Sequence, residues 1–433
     1  MESLKFLAVA IFVLSNYDFV SADNKVVCYY DSSSNTRPSQ GKFDIQFLDH
    51  ALQFCSHLIY GYAGIDEKTL KLKSLNEALD LTNHNFKKVT ELKKRFPGVK
   101  ILLSVGGGKD GQYDEDRKVE KYLKLLESSD NRFAFINSVD SFLKIYGFDG
   151  LDLGWQFPET KPKVIRGKIS GWFNSLKKKV VGEDDVDEKA SEHKEEFTAL
   201  VRDLKNKFKH EGLSLTLSVL PNVNSTIYYD PTISQYLDLI IVKAFNFYTP
   251  ERNPKEADFP APLFPVFDRK VEENADYQVR YWTEHGTPKN KVILGIPTFA
   301  RTWKMTEDSG LTGVPPLKIE GPGTGGPYTQ TPGLLSHPEV CNKLTNIEIK
   351  HKLVKTGDPT GRHGVYAYRT VDNNNPEGIW IAFEDGDSAG SKASYARERG
   401  LGGIAIDDLT LDDFRGLCTG NKYPILRAAR LKL

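Results

Sequence analysis

The chain has no excess of charge: its 433 residues carry 58 Lys and Arg against 58 Asp and Glu. Such a balance sets up no broad field for phosphates, so a nucleic-acid partner is not expected. Cys-x-x-Cys and His-Glu-x-x-His patterns are missing. These spacings let thiolates, or two imidazoles on one helix face, grip zinc, and without them no metal is expected, nor any other cofactor. Internal repeats and low-complexity tracts are also missing. So is an apolar run long enough to cross a bilayer. The unbroken apolar stretch at residues 6–14 is too short for that. It follows Lys5 and leads to Val20-Ser21-Ala22, small or modest side chains where a signal peptidase reads. This pattern predicts a cleaved leader over residues 1–22, no membrane span and an extracellular destination.

Four cysteines follow the leader, Cys28, Cys55, Cys341 and Cys418. An even count in a secreted chain favours two disulfides, and spacing alone leaves three connectivities open. Asn224-Ser225-Thr226 is an N-glycosylation sequon that follows a predicted strand, where a loop would expose it.

Eight short apolar runs recur without alternation, at residues 26–30, 58–63, 101–105, 151–155, 215–219, 239–244, 292–297 and 403–406. Strands buried on both faces read in this way, and parallel sheets are built of them. Helical patterns lie between several of these runs. Phe197, Leu200, Val201, Leu204 and Phe208 share one face, and an amphipathic stretch at 86–96 stops at Pro97-Gly98. Alternating strands and helices of this number predict a (β/α)8 TIM barrel over 23–300 and 378–433. The stretch 301–377 is too long for a loop and rich in Gly and Pro, which predicts a small α+β insertion domain.

Chemistry in such a barrel sits where strands end at the C-terminal face. The fourth run reads Phe148-Asp149-Gly150-Leu151-Asp152-Leu153-Gly154-Trp155-Gln156-Phe157-Pro158. Alternation puts Asp152, Gly154 and Gln156 on one face, toward the barrel interior, and Trp155 on the opposite, core-facing side. A carboxyl group at the last of these positions could act as a general acid, but an amide stands there.

This strand resembles the signature of family 18 chitinases, Phe-Asp-Gly-x-Asp-x-Asp-Trp-Glu-Tyr-Pro. Cys55-Ser56-His57-Leu58-Ile59-Tyr60, Lys100-Ile101-Leu102-Leu103-Ser104-Val105-Gly106-Gly107 and Leu294-Gly295-Ile296-Pro297-Thr298-Phe299 are similar to that family's second, third and seventh strands. Gly400-Leu401-Gly402-Gly403 through Asp412-Asp413-Phe414 resembles its last strand and the turn beyond. The resemblance implies a substrate-assisted mechanism, in which a Glu protonates the leaving oxygen while the substrate's acetamido group attacks. It also implies an Asp that orients the acetamido group and a strand-six Tyr that holds its carbonyl. Here those places hold Gln156, Gly154 and Phe245, and Asn246 replaces the carboxylate beside that Tyr. An amide delivers no proton, and a positioned acid is worth roughly 10²- to 10⁴-fold.

Where the family places Trp platforms for chitin, this chain has Ser33, Gly108 and Asp407, the last in place of the floor beneath the reacting sugar. Asp149 and Asp152 remain, with hydrogen bonding inside the barrel as their expected role. Gln156, Gly154, Phe245, Asn246, Asp407, Asp149 and Asp152 thus form a degenerate site with no catalytic residue. Cys28 and Cys55 flank the first helix at neighbouring strands and are paired on that ground; the resemblance implies Cys341–Cys418, tying the insertion domain to the C-terminus.

The Trp-Gln-Phe-Pro ending resembles a non-catalytic branch of the family, the insect imaginal disc growth factors, which also carry an extra segment after strand four. This chain has such a segment at 159–192. The resemblance implies a secreted protein that promotes proliferation and motility, in concert with insulin-like signals, through a cell-surface receptor or glycan. A chito-oligosaccharide lectin with residual affinity is the alternative, and a working hydrolase the third reading. In the extra segment, residues 161–179 hold seven basic side chains and an apolar stripe of Ile169, Trp172, Phe173, Leu176 and Val180 at helical spacing. They read either as a docked helix with solvated charges or, through Lys177, Lys178 and Lys179, as a contact for an anionic surface partner.

Overall fold

Runs of Val, Ile and Leu become strands here because both of their faces meet apolar neighbours. The computed structural model describes residues 24–111, 117–161, 187–345, 353–358, 360–371 and 378–433. Its parallel strands are β1 (Lys25–Asp31), β2 (His57–Ile65), β3 (Lys100–Gly106), β4 (Gly150–Gly154), β5 (Ser214–Val219), β6 (Leu239–Val242), β7 (Val292–Pro297) and β8 (Gly403–Asp407). Each pairs with the next, and β8 returns to β1 through Lys25↔Gly403 to Cys28↔Ile406, so the sheet closes into a (β/α)8 barrel. Alternate residues enter different cores. Val27, Tyr29, Ile59, Leu102, Ile241, Ile293 and Ala405 fill the interior. Their neighbours Val26, Cys28, Leu58, Ile101, Leu103, Ile240, Leu294 and Ile404 pack outward, in the larger cluster that includes the helices.

The amphipathic stretch at 86–96 divides into α1 (Asn85–Thr90) and a 3₁₀ turn at Glu91–Lys94, and ends before Pro97. Helix α2 (Ala190–Phe208) turns Phe197, Leu200, Val201, Leu204 and Phe208 onto the barrel, and all five are fully buried. Each gains about 1.5–3 kcal/mol by leaving water. No described helix is long and apolar enough to cross a membrane.

The insertion is an antiparallel sheet in the order Val354–Gly357, Val365–Arg369, Gly378–Phe383, Ala300–Met305, Leu317–Pro322 and Glu256–Ala257, with Leu334–Leu335 added to Ala300–Arg301. This corrects the expected 301–377 boundary. Gly378–Phe383 lies inside the sheet, between Val365–Arg369 and Ala300–Met305, and Glu256–Ala257 joins from well upstream. The cause of the discrepancy is burial: Gly378–Phe383 is covered on both faces, like a barrel strand, but its hydrogen-bond partners are antiparallel. Cys28 is joined to Cys55 with Cα atoms 6.0 Å apart. Cys341, on α3 (His337–Thr345), is joined to Cys418 at 5.9 Å and ties the insertion to the C-terminal stretch.

Candidate functional site

The barrel interior changes character as its strands rise. Above the apolar layer, Asp152 of β4 is fully buried. The parallel register sets Ser104 of β3 and Thr216 of β5 level with it. Their hydroxyls each donate to its carboxylate at 2.7 Å, and Ser218 donates at 2.8 Å. Ser218 also shares a 2.6 Å hydrogen bond with the Tyr29 phenol. Burial pushes the Asp152 carboxyl above its usual range, while the Thr216 hydroxyl, the Lys243 charge and the two serines pull it back. Both oxygens of the Asp152 carboxyl are thus hydrogen-bonded inside the barrel.

At the mouth, Lys243 follows the last residue of β6. Its Nζ lies 2.6 Å from Asp407 Oδ2 at the end of β8. The same ammonium sits 3.9 Å over the Tyr29 ring and donates to the Tyr62 hydroxyl at 3.4 Å. Lys243, Asp407, Tyr62 and Tyr29 are 5, 9, 7 and 1 % exposed, so the mouth is filled rather than open. Beside them Lys109 pairs with Asp31 at 3.1 Å. Asp408 is pushed up to about 6 by burial and by Asp31 and Asp407, against the opposing charge of Arg37.

The residues of the β4 strand end are committed to other partners. A Cβ on Gly154 would lie 2.6 Å from the Gly107 nitrogen and 2.8 Å from its Cα, and the Gly107 N–H donates to the Gly154 carbonyl at 2.8 Å. Backbone therefore occupies the room a side chain at 154 would need. Gln156, 2 % exposed, clasps the backbone of Asp110: its Nε2–H donates to the carbonyl at 2.9 Å, and its Oε1 accepts from the N–H at 3.2 Å. The Asp110 carboxylate in turn accepts from Lys121 at 2.6 Å, from the Tyr122 hydroxyl at 2.9 Å and from the Ile65 N–H at 2.9 Å.

Of the remaining expected positions, Phe245 is buried edge-on to Phe299, with ring centroids 5.9 Å apart. Asn246, at φ +58°, accepts from Arg301 Nε at 2.9 Å. Asp149 is not in the interior at all. It lies at the opposite rim, paired with Lys93 at 2.7 Å and accepting from the Ile101 N–H at 2.8 Å, because it precedes β4 rather than ending it. Ser33 is exposed, its hydroxyl donating to Asp31, and a Cβ at Gly108 would meet open space. Trp155 is fully buried among Tyr122, Phe135 and Phe197. Asn224 caps a short helix. Lys177, Lys178 and Lys179 and the stripe from Ile169 to Val180 lie outside the described residues, as do residues 1–22.

The glycosyl hydrolases family 18 model matches residues 25–412. The chain belongs to this family. It is 51% identical to chitinase-like protein Idgf4 of Glossina morsitans morsitans, over 98% of this chain and 97% of that one. It is 49% identical to imaginal disk growth factor 6 of Drosophila melanogaster, over 94% and 93%. Among solved structures, the second catalytic domain of an Ostrinia furnacalis group II chitinase superimposes with a TM-score of 0.78 at 29% identity, covering 95% of this chain and 96% of that one. Human YKL-39, described as a pseudo-chitinase with retained chitooligosaccharide binding properties, does so at 0.74 and 26%, covering 94% and 99%.

Within this family 18 barrel, the sequence reading missed the roles of Lys243, Tyr62 and Asp110. A signal existed for the first: Lys243 ends an apolar run of four residues, and Asp407 ends another, so two opposite charges sit at strand ends with nowhere dry to go but each other. For Asp110 no local pattern pointed to the clasp, since its partner is 46 residues away.

Proposed function

We propose that this is a secreted chitinase-like protein that does not hydrolyse chitin and acts outside the cell as a growth or motility signal. The observation that carries the loss of hydrolysis is the buried Lys243–Asp407 pair, which stands where the resemblance puts the floor of the sugar site. Gln156 has no proton to give and is held at both ends by Asp110. Neither Gly154 nor Phe245 offers a polar group to hold an acetamido substituent. The signalling half is supported by likeness to proteins named imaginal disk growth factor and Idgf. The extracellular half is supported by the leader pattern at 1–22 and by both cysteine pairs being oxidised.

A second reading, a chito-oligosaccharide lectin, is favoured by an aromatic recess beside the mouth that includes Phe245, Phe259 and Phe299. Its cavity is about 20 Å³, room for a single water rather than a sugar ring. The test combines three measurements on protein exported from cultured insect cells under its own first residues. Chromogenic chito-oligosaccharides are expected to stay intact with the wild type and with Gln156→Glu. Calorimetric titration with a chitin tetrasaccharide is expected to give no saturable heat. Imaginal-disc cells are expected to proliferate in response. Turnover above a barrel-mutant control overturns the first claim, saturable binding turns the assignment to a lectin, and a flat cell response removes the signalling role.

A further inference from the structure

We propose that the lower end of the barrel, opposite the filled mouth, binds a tetrahedral oxyanion, a phosphate or sulfate group. Lys100, Ser214 and His57 hold it, with the charge of Lys25 beside them. The site does not depend on the signalling reading above.

Strand alternation builds the site. Below the apolar layer of Val27, Ile59 and Leu102, each strand has one further inward position, two residues earlier. On β1, β2 and β3 these positions hold Lys25, His57 and Lys100; on β4 and β5 they hold Gly150 and Ser214, two residues before the inward Asp152 and Thr216. The register sets Val27, His57 and Lys100 side by side, and Gly150 beside Ser214. No side chain fits at Gly150, where a Cβ would lie 2.0 Å from the Ser214 carbonyl oxygen. The Lys100 ammonium therefore passes across β4 and donates to the Ser214 hydroxyl at 3.2 Å. The apolar layer above separates this end from the mouth.

The unused capacity of these groups fits an anion. Lys100 pairs with no carboxylate among the described residues; its partner is the neutral Ser214 hydroxyl. Ser214 is buried and accepts from that ammonium, so its own hydroxyl hydrogen has no acceptor among the described residues. The carboxylates of the rim are engaged elsewhere. Asp149 accepts from Lys93 and the Ile101 N–H, and Asp238 from Lys205 at 2.9 and 3.0 Å and from the Leu215 N–H at 2.8 Å. Lys291 is turned to the Ser234 and Leu237 carbonyls. The His57 ring, with Nδ1 2.9 Å from the Ser56 hydroxyl, is held down by burial and then by Lys100 and Lys25, against the weaker pull of Asp238 and Asp149. Positive charge thus prevails at this ring. An oxyanion would meet the ammonium and the hydroxyl hydrogen together, and would favour a proton on His57. The donors come from three strands rather than one plane, which suits a tetrahedral group better than a carboxylate.

For the test, the full chain is titrated calorimetrically with inorganic phosphate, inorganic sulfate and a sulfated disaccharide, with ionic strength held constant by chloride. Saturable one-to-one binding is expected. Lys100→Gln and Ser214→Ala should each weaken it about ten-fold or more, the worth of one charge-assisted hydrogen bond. Lys318→Gln, at an exposed position of the insertion, should leave it unchanged. Tighter binding of the disaccharide than of inorganic sulfate assigns the group to a glycan ester, and equal or weaker binding to the free ion. In histidine-labelled protein, the resonance that His57→Asn removes should titrate at higher pH once the anion saturates, and this rise should vanish in Lys100→Gln. Lys100 is exposed, so that variant should fold, and Ser214→Ala repeats the comparison if it does not. The absence of saturable heat with all three probes overturns the proposal. So do equal affinities in wild type and a folded variant, or a His57 midpoint that the saturating anion leaves unmoved.

Discussion

At the lower end of the barrel, Val27, Ile59, Leu102, Ile241 and Ile293 close the interior with hydrocarbon. At its mouth the same eight strands carry Asp31, Lys243, Asp407 and Asp408, all buried. The lower layer can be filled by any side chain of suitable volume, because dispersion and burial have no sign. The mouth holds its charges as the pairs Lys243–Asp407 and Lys109–Asp31, because an ion taken out of water must meet its opposite, and the unpaired Asp408 is pushed up instead. At this end of the barrel Lys243 and Asp407 fill the space with mutual attraction. The two ends therefore differ in what breaks them.

The largest effect is expected at the mouth. Lys243→Met alone, which strands Asp407, should cost about 3–5 kcal/mol. Adding Asp407→Leu should recover most of that, since a hydrophobic pair of similar volume is well tolerated in such places. Denaturant unfolding of the two singles and the double gives the cycle. A loss below about 1 kcal/mol in the single variants would mean the pair behaves as a surface bridge, and the contrast between the two ends would fail.

A second contrast is in pH. His57, at the lower rim, is held down to about 4 from an ordinary 6.5 by burial, with help from Lys100 and Lys25. Its contribution to stability is complete above 6.5 and is lost as pH falls through about 4. Asp408, at the mouth, is raised to about 6, so its contribution is complete below the ordinary 3.8 and is lost as pH rises through about 6. Each is worth up to about 3 kcal/mol, less for the half-buried His57. Between these limits they oppose one another in the wild type. His57→Asn should leave stability falling from pH 4 to 6, and Asp408→Asn should leave it rising. Parallel pH profiles of the two variants would remove the contrast.

The smallest effect is expected from Gln156→Glu. The change removes the Nε2 donor and sets a carboxylate against the Asp110 carbonyl, so about 1–3 kcal/mol should be lost, read as a shifted denaturation midpoint. An unchanged midpoint would mean that the clasp is not needed to seat the loop after β3.

The barrel was legible because eight apolar runs, separated by helical patterns, leave few other ways to bury both faces of each strand. The failed boundary at 377 shows where that legibility stops: Gly378–Phe383 has the composition of a barrel strand, and its antiparallel neighbours cannot be read from it. The expectation of a degenerate site rests on residue type alone, since Gln156, Gly154 and Phe245 differ in kind from the acid, the orienting carboxylate and the phenol that the resemblance implies. Asp149 and Asp152 read alike in the strand, but they lie at opposite levels of the barrel.

By itself, then, the sequence determined the fold class, the family and the absence of an acid at 156, because each is a property of residue type and short spacing. The tertiary structure alone decided that the mouth is filled. Lys243 and Asp407 stand 164 positions apart, Gln156 and Asp110 46, and Gly154 meets Gly107 across two strands. Contacts at such separations depend on strand order and register, and no local periodicity carries that information.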